Sequence, residues 1–338
     1  MDDWLTAALE LATPEGARGA RAILVTVAAV EGSVPREPGT KMLVDASRQW
    51  GTVGGGHLEL RGLELARAML ADGRMRHLER FPLGPSLGQC CGGVVQLAFE
   101  AVDHAHHDHL AALARRRRED SWRLAALDGA PGLALFDADG KLLQGDAAGF
   151  AHADVCTGVT RVLRDDTGRR WLLDRVEAPR AHLMLFGAGH VGAAIVRAMG
   201  DLPCRITWVD EREDLFPAVV PHNVTIEATD VPEALASRAQ AGTSFLVMTH
   251  SHALDQRVAE AILKRPGMDN ADWFGLIGSN TKRKQFEHRL RERGIPDERL
   301  DAMVCPIGVP GIDGKEPAVI AVAVAAQLLT LWTQTERT

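Results

Sequence analysis

The spacing of apolar and polar positions changes near residue 180 of the chain. Before it, the apolar runs are of strand length: Ile23-Leu24-Val25-Thr26-Val27, then residues 41–44, 78–81 and 94–99. Two segments have helical spacing instead, residues 3–11 and the stretch from His57 to about residue 71, in which Leu60, Leu63, Ala66 and Leu70 share one face. Residues 121–174 hold short alternating runs between Gly and Asp turns, a small antiparallel layer or linker that completes the N-terminal domain. After residue 180, strand runs at 183–186, 205–210, 224–228, 243–249 and 273–277 alternate with helical patterns at 193–199, 231–240, 254–264 and 281–293. Such alternation predicts right-handed crossovers and a parallel sheet with helices on both faces. A last helix starts at Glu316-Pro317 and is apolar nearly all round, which places it against the sheet or a partner subunit.

The expected fold class is therefore α/β. Residues 1–102 form an N-terminal α+β domain, 103–180 a connecting helix and short strands, and 181–334 a Rossmann-like, doubly wound parallel sheet.

The chemistry of the second half sits where strands end. Gly187, Gly189 and Gly192 hold the G-x-G-x-x-G spacing between a strand and a helix. The first glycine permits the turn, the second lets a pyrophosphate approach the backbone, and the third lets helix pack on strand. Asp210 closes the next run, where an acid meets a ribose hydroxyl, and Arg212 behind it would admit a 2'-phosphate. His250 and His252, with Asp255 close behind, suit a divalent metal, a heterocycle or a proton transfer, or simply cap a helix. Ser279 or Asn280 caps a helix whose first turn carries Lys282, Arg283 and Lys284. Cations there oppose the helix dipole, so the pattern asks for an anion and reads as a phosphate site with Lys282 as its contact; the alternative is solvated side chains.

In the first half, Gly54-Gly55-Gly56 precedes His57 and leaves helix amides open to an anion, unless it is merely a turn. Upstream, Gly32-Ser33-Val34-Pro35-Arg36 opens a loop stiffened by prolines and loosened by glycines. Cys90 and Cys91 stand before Gly92-Gly93. Adjacent cysteines cannot close an unstrained disulfide, so they are either accessible thiols or two small buried hydrophobes. The histidines at 104, 106, 107 and 109 fit no standard zinc spacing, and with the arginine run at 115–118 they read as a solvated domain boundary.

Charge and composition narrow the function classes. A net charge of -7 with dispersed basic residues argues against nucleic acid. The acidic start lacks the layout of a secretory signal, and the longest apolar run falls short of a membrane span, so a cytoplasmic protein is expected. Five cysteines without paired spacing argue against a disulfide framework.

Taken together, these segments resemble the XdhC/CoxI family of xanthine dehydrogenase accessory proteins. The resemblance rests on Gly32-Ser33-Val34-Pro35-Arg36, on residues 51–59, on Gln89-Cys90-Cys91-Gly92-Gly93 and on Gly187-Ala188-Gly189-His190-Val191-Gly192. It extends to Thr249-His250-Ser251-His252, Gly278-Ser279 with Lys282, and Pro306-Ile307-Gly308, and is weakest over residues 101–180. It implies a chaperone rather than an enzyme. Such a protein binds the molybdenum cofactor (molybdopterin) as cargo and holds it while a cysteine desulfurase sulfurates it. It then inserts the cofactor into the molybdenum-binding subunit of xanthine dehydrogenase. A homodimer is expected. The cofactor-binding set implied is Cys91, Cys90, Arg36, Gly55, Gly56, His57, Gly187, Gly189, Gly192, Asp210, His250, His252, Ser279 and Lys282, with Cys91 as molybdenum ligand. The competing reading is an NAD(P)-dependent oxidoreductase that uses Asp210 for the ribose and His250 for proton transfer.

Overall fold

The computed structural model describes residues 4–13, 21–83, 92–150, 152–155, 157–269 and 272–335. The chain divides into two units, Met1–Ala178 and Pro179–Thr338.

The first unit opens with α1 (Trp4–Ala12), followed by β1 (Ala22–Glu31), β2 (Lys41–Val44), β3 (Gln49–Gly51), α2 (Gly56–Asp72), β4 (Arg76–Pro82) and β5 (Val94–Val102). These strands form an antiparallel sheet in the order β3-β2-β1-β5-β4. Side chains alternate across a strand, so Ile23, Val25 and Val27 face α2 while Ala22 and Leu24 face the other way. The buried face of α2 is Leu58, Gly62, Ala66 and Met69, whereas Leu60, expected inside, is 49% exposed. The reason is Gly62, where even a methyl group would lie 3.4 Å from Leu97 and 3.7 Å from Met42, so the helix turns its smallest side to the sheet.

A 3-10 turn leads into α3 (His107–Arg115), which packs against α1 and buries His109, Leu110 and Leu113. Of these histidines His109 is buried and His104 exposed, and the first unit continues past them to Ala178 instead of ending there. Among the described residues, no group of three or more metal-ligating side chains converges. Next come β6 (Ser121–Ala126), β7 (Leu133–Asp137), β8 (Leu142–Gly145), α4 (His152–Val155), β9 (Arg161–Arg164) and β10 (Arg170–Val176). They build a second antiparallel sheet in the order β8-β7-β6-β10-β9. Ala28 and Ala98 of the first sheet meet Leu127 and Leu172 beside the second, closing a two-sheet core.

The second unit runs β11 (Ala181–Phe186), α5 (His190–Met199), β12 (Cys204–Asp210), β13 (Val224–Ala228), α6 (Pro232–Arg238), β14 (Thr243–Val247), α7 (His252–Leu263), β15 (Trp273–Leu276), α8 (Asn280–Glu292), α9 (Asp297–Asp301), β16 (Met303–Val304) and α10 (Pro317–Thr335). Its sheet is parallel throughout, β13-β12-β11-β14-β15-β16, and the winding reverses between β11 and β14. Ile195, Met199, Val324 and Leu328 cover one face, and Val258, Ile262 and Phe286 the other. An 18-residue stretch of α10 has a mean hydropathy of 1.5. Contrary to the sequence expectation, that is long and apolar enough to cross a membrane by length and composition. Ala321, Val324 and Leu328 are nevertheless buried in the unit's core, where α10 lies on α5, while Val322 is 57% exposed.

Candidate functional site

Parallel strands bring their carboxyl ends to one edge, and a doubly wound sheet binds ligands in the crevice where the winding reverses. In the second unit that edge gathers Gly187 and Gly189 after β11, Asp210 ending β12, His250 and His252 after β14, and Ser279 and Lys282 after β15.

The three glycines of the turn differ in what they leave room for. A side chain at Gly187, whose φ is +126°, would strike the Met248 carbonyl, and one at Gly192 would strike the Gly187 carbonyl. Both are required by the packing of the turn. Gly189 has an extended backbone at the head of α5, and a methyl group there would meet nothing within 4 Å. Open space at the helix N-terminus is what close approach of an anion requires.

Asp210 is engaged inside the protein. Its Oδ2 accepts from Ala188 N (2.6 Å), and Arg212 donates to it through Nε and Nη2, both at 2.9 Å. Burial works against ionisation, but the bonds from Arg212 and the Ala188 amide outweigh it and hold the carboxyl below the usual aspartate value. Asp210 therefore fastens the glycine turn to β12, and a ribose would meet a carboxylate already bonded. His250 Nε2 lies 3.4 Å from Glu211 Oε1, and the exposed His252 begins α7 beside Phe286.

Lys282 also has an internal partner. Its ammonium donates to Asp255 Oδ2 and to the Ile277 carbonyl, both at 2.8 Å. Asp255 Oδ1 accepts from Thr249 N (2.8 Å) and Thr249 Oγ1 (2.7 Å), so one buried carboxylate ties the loop after β14 to the start of α8. The anion that the basic turn demanded is Asp255, which the sequence reading grouped with the histidines. The Ser279 hydroxyl accepts from Lys282 N at 3.3 Å and caps α8.

The first unit makes a second cluster. The loop between β1 and β2 carries the exposed Arg36, and two of the singled-out segments pack against it. A methyl at Gly54 would lie 2.7 Å from Pro35 Cγ and 3.4 Å from Arg36 Cγ, so the glycine turn before α2 is pressed against the loop. A methyl at Gly93 would lie 2.6 Å from the Glu31 carbonyl and would also strike that of Ser33. Arg36, Gly55, Gly56, His57 and Gly93 are thereby gathered around one loop. Cys90 and Cys91, which directly precede Gly92-Gly93, lie outside the described residues.

Glu59 was missed as a functional residue. Its carboxylate accepts from Val53 N (3.1 Å), Gly55 N (3.2 Å), Gln49 Nε2 (3.1 Å) and the Thr52 hydroxyl. Partial burial opposes its ionisation, but these four bonds prevail and keep it below the usual glutamate value. It fixes the glycine turn in shape and uses two of its amides, while the first amides of α2 have no carbonyl within the helix to bond. The available signal was an acid in the first helical turn after a glycine run. The cysteines among the described residues offer no reactive thiolate. Burial pushes Cys204 up to about 11, and it raises Cys305 against the partial offset of Lys282 and Arg283.

Comparison with known proteins agrees with this two-part layout. The chain is 28% identical over 173 residues to the uncharacterized protein YqeB of Escherichia coli strain K12, which takes in 51% of this chain and 31% of that protein. The chain thus spans about a third of the length of that curated relative. The crystal structure of a xanthine dehydrogenase from Bacillus halodurans shares the fold, with a TM-score of 0.71 at 19% identity over 98% of this chain and 96% of that one. Residues 183–328 match the family model of the XdhC Rossmann domain and residues 16–82 that of the XdhC and CoxI family, so the chain belongs to the XdhC/CoxI family.

Proposed function

We propose that this protein is an accessory factor in xanthine dehydrogenase maturation. It binds the molybdenum cofactor as cargo and holds it while a cysteine desulfurase exchanges a molybdenum oxo ligand for sulfur. It then passes the cofactor to the molybdenum-binding subunit of the dehydrogenase. In this reading the chain is a cytoplasmic, homodimeric chaperone, and net catalysis belongs to its partners.

The observation that carries the reading is the meeting of three segments in the first unit: the Arg36 loop, the Gly54–Gly56 turn and Gly93. Arg36, exposed on the loop against which the glycine turn is pressed, and the first amides of α2, which have no carbonyl within the helix, suit the phosphate of a phosphorylated pterin. Cys91, two residues before Gly93 in the sequence, would offer molybdenum a soft thiolate ligand. The test is to purify the full chain from hosts with and without cofactor biosynthesis and to measure bound molybdopterin. Wild type is expected to carry it, while Cys91→Ala and Arg36→Ala each retain less than about a tenth, a loss of about 1.4 kcal/mol or more. Equal loading of all three, or none in wild type, sinks the proposal.

A second reading, an NAD(P)-dependent oxidoreductase centred on the Gly187 turn, draws on the open space at Gly189. It ranks lower because Asp210 is already bonded to the turn and to Arg212. Titration with NAD(H) and NADP(H), followed by a screen for hydride transfer, separates the two.

A further inference from the structure

We infer that four buried charged side chains, Lys41, Asp174, Arg123 and Glu100, position the Arg36 loop, so that the second sheet of the first unit belongs to the ligand-holding apparatus. The inference rests on the reading of that loop as the cofactor's seat. The four alternate in sign and form a chain across the interface of the two sheets. Lys41 Nζ is 2.8 Å from Asp174 Oδ1, Asp174 Oδ2 is 2.8 Å from Arg123 Nη1, and Arg123 Nη2 is 3.0 Å from Glu100 Oε1. All four are buried, and the Asp174 side chain is wholly so.

The loop end is fastened to this chain at two points. The Lys41 ammonium also donates to the Gly39 carbonyl at 2.7 Å. Gly39 itself, with φ +93°, lies so close to the second sheet that a methyl group there would come within 2.9 Å of Thr160 Oγ1 and 3.6 Å of the Arg175 carbonyl. Thr160 in turn accepts from Arg175 N at 3.0 Å and contacts Asp174 at 3.5 Å. With Gly93 closing the other end, residues 32–40 are held at both feet, and Arg36 stands between them.

A simple need for cohesion does not explain the quartet. Arg123 Nε and Glu100 Oε2 are buried without a hydrogen-bond partner among the described residues, a loss that apolar side chains of like volume would avoid. Charge-assisted hydrogen bonds supply direction instead: they fix Gly39 and Lys41 against the second sheet, where an apolar contact would let the strands slide.

The experiment uses the full chain with Asp174→Asn and, in case that variant fails to fold, the volume-matched quadruple variant Lys41→Met, Asp174→Leu, Arg123→Met, Glu100→Leu. Amide hydrogen exchange is followed at Gly39 and Thr40, with β14 of the second unit as internal control. Exchange at the loop is expected to speed up by at least about tenfold with β14 unchanged, and bound molybdopterin to fall by a similar factor. A folded variant of either kind whose loop exchanges as in wild type overturns the inference. If wild type binds no molybdopterin, the functional proposal fails while the exchange measurement still decides whether the quartet positions the loop.

Discussion

At the scale of single residues, the polar groups that looked poised for a ligand divide into those with internal partners and those without. Lys282 belongs to the first kind. Lys282→Met would strand the Asp255 carboxylate, 1% exposed at its side chain, and is expected to cost about 3–5 kcal/mol of stability by urea titration. Adding Asp255→Leu should recover only part of that, since it removes the unpaired charge but takes the acceptor from Thr249 N and Oγ1. His109 gives a pH signature. Burial, with the nearby positive charge of Arg123, lowers its pKa from 6.5 to about 3. The folded form therefore resists protonation that the unfolded chain accepts. Stability from this group is complete above pH 6.5 and is lost as pH falls from there toward 3, by at most about 1.4 kcal/mol per pH unit. Denaturation followed from pH 7 to pH 4 should show a shallower loss for His109→Gln; an unchanged slope would exclude His109 as its source.

Among the elements, α10 shows best how packing and composition part company. Leu328 is buried in the core shared with α5, whereas Val322 is exposed, although both lie on one uniformly apolar helix. Leu328→Ala should cost about 2–5 kcal/mol and Val322→Ala less than about 0.5 kcal/mol, as read from denaturation midpoints at constant m. The apolar pattern alone could not distinguish these residues, because a helix without a polar face carries no record of which side is covered. The parallel sheet was legible for the opposite reason. Its inner strands β11, β14 and β15 are largely buried, so they read as apolar runs, and Gly187 follows β11, Asp210 closes β12 and Gly278 lies two residues after β15. The second antiparallel sheet was legible only as short strands. Its central pair joins Trp171 to Ala126 and Val176 to Ser121, partners about 50 residues apart that no local window links. Asp255 with Lys282, and Asp174 with Lys41, were hidden in the same way: each side chain was plain in the sequence, but its partner was set by the folded topology.

On the scale of the whole chain, each hydrophobic cluster draws its described residues from one unit alone. A fragment of residues 179–338 is therefore expected to fold by itself and unfold in one cooperative step, observable by circular dichroism in urea. A fragment lacking a cooperative transition would show that the second unit needs the first. The first unit assembles under a different constraint. β1 is hydrogen-bonded to β5 across Ala22 and Val102, and β6 to β10 across Ser121 and Val176. During synthesis, β6 leaves the ribosome some fifty residues ahead of the strand that covers one of its edges. Until β10 arrives, that edge is an open template for another nascent chain, so a premature stop between these two strands would release a sticky fragment rather than a smaller working protein.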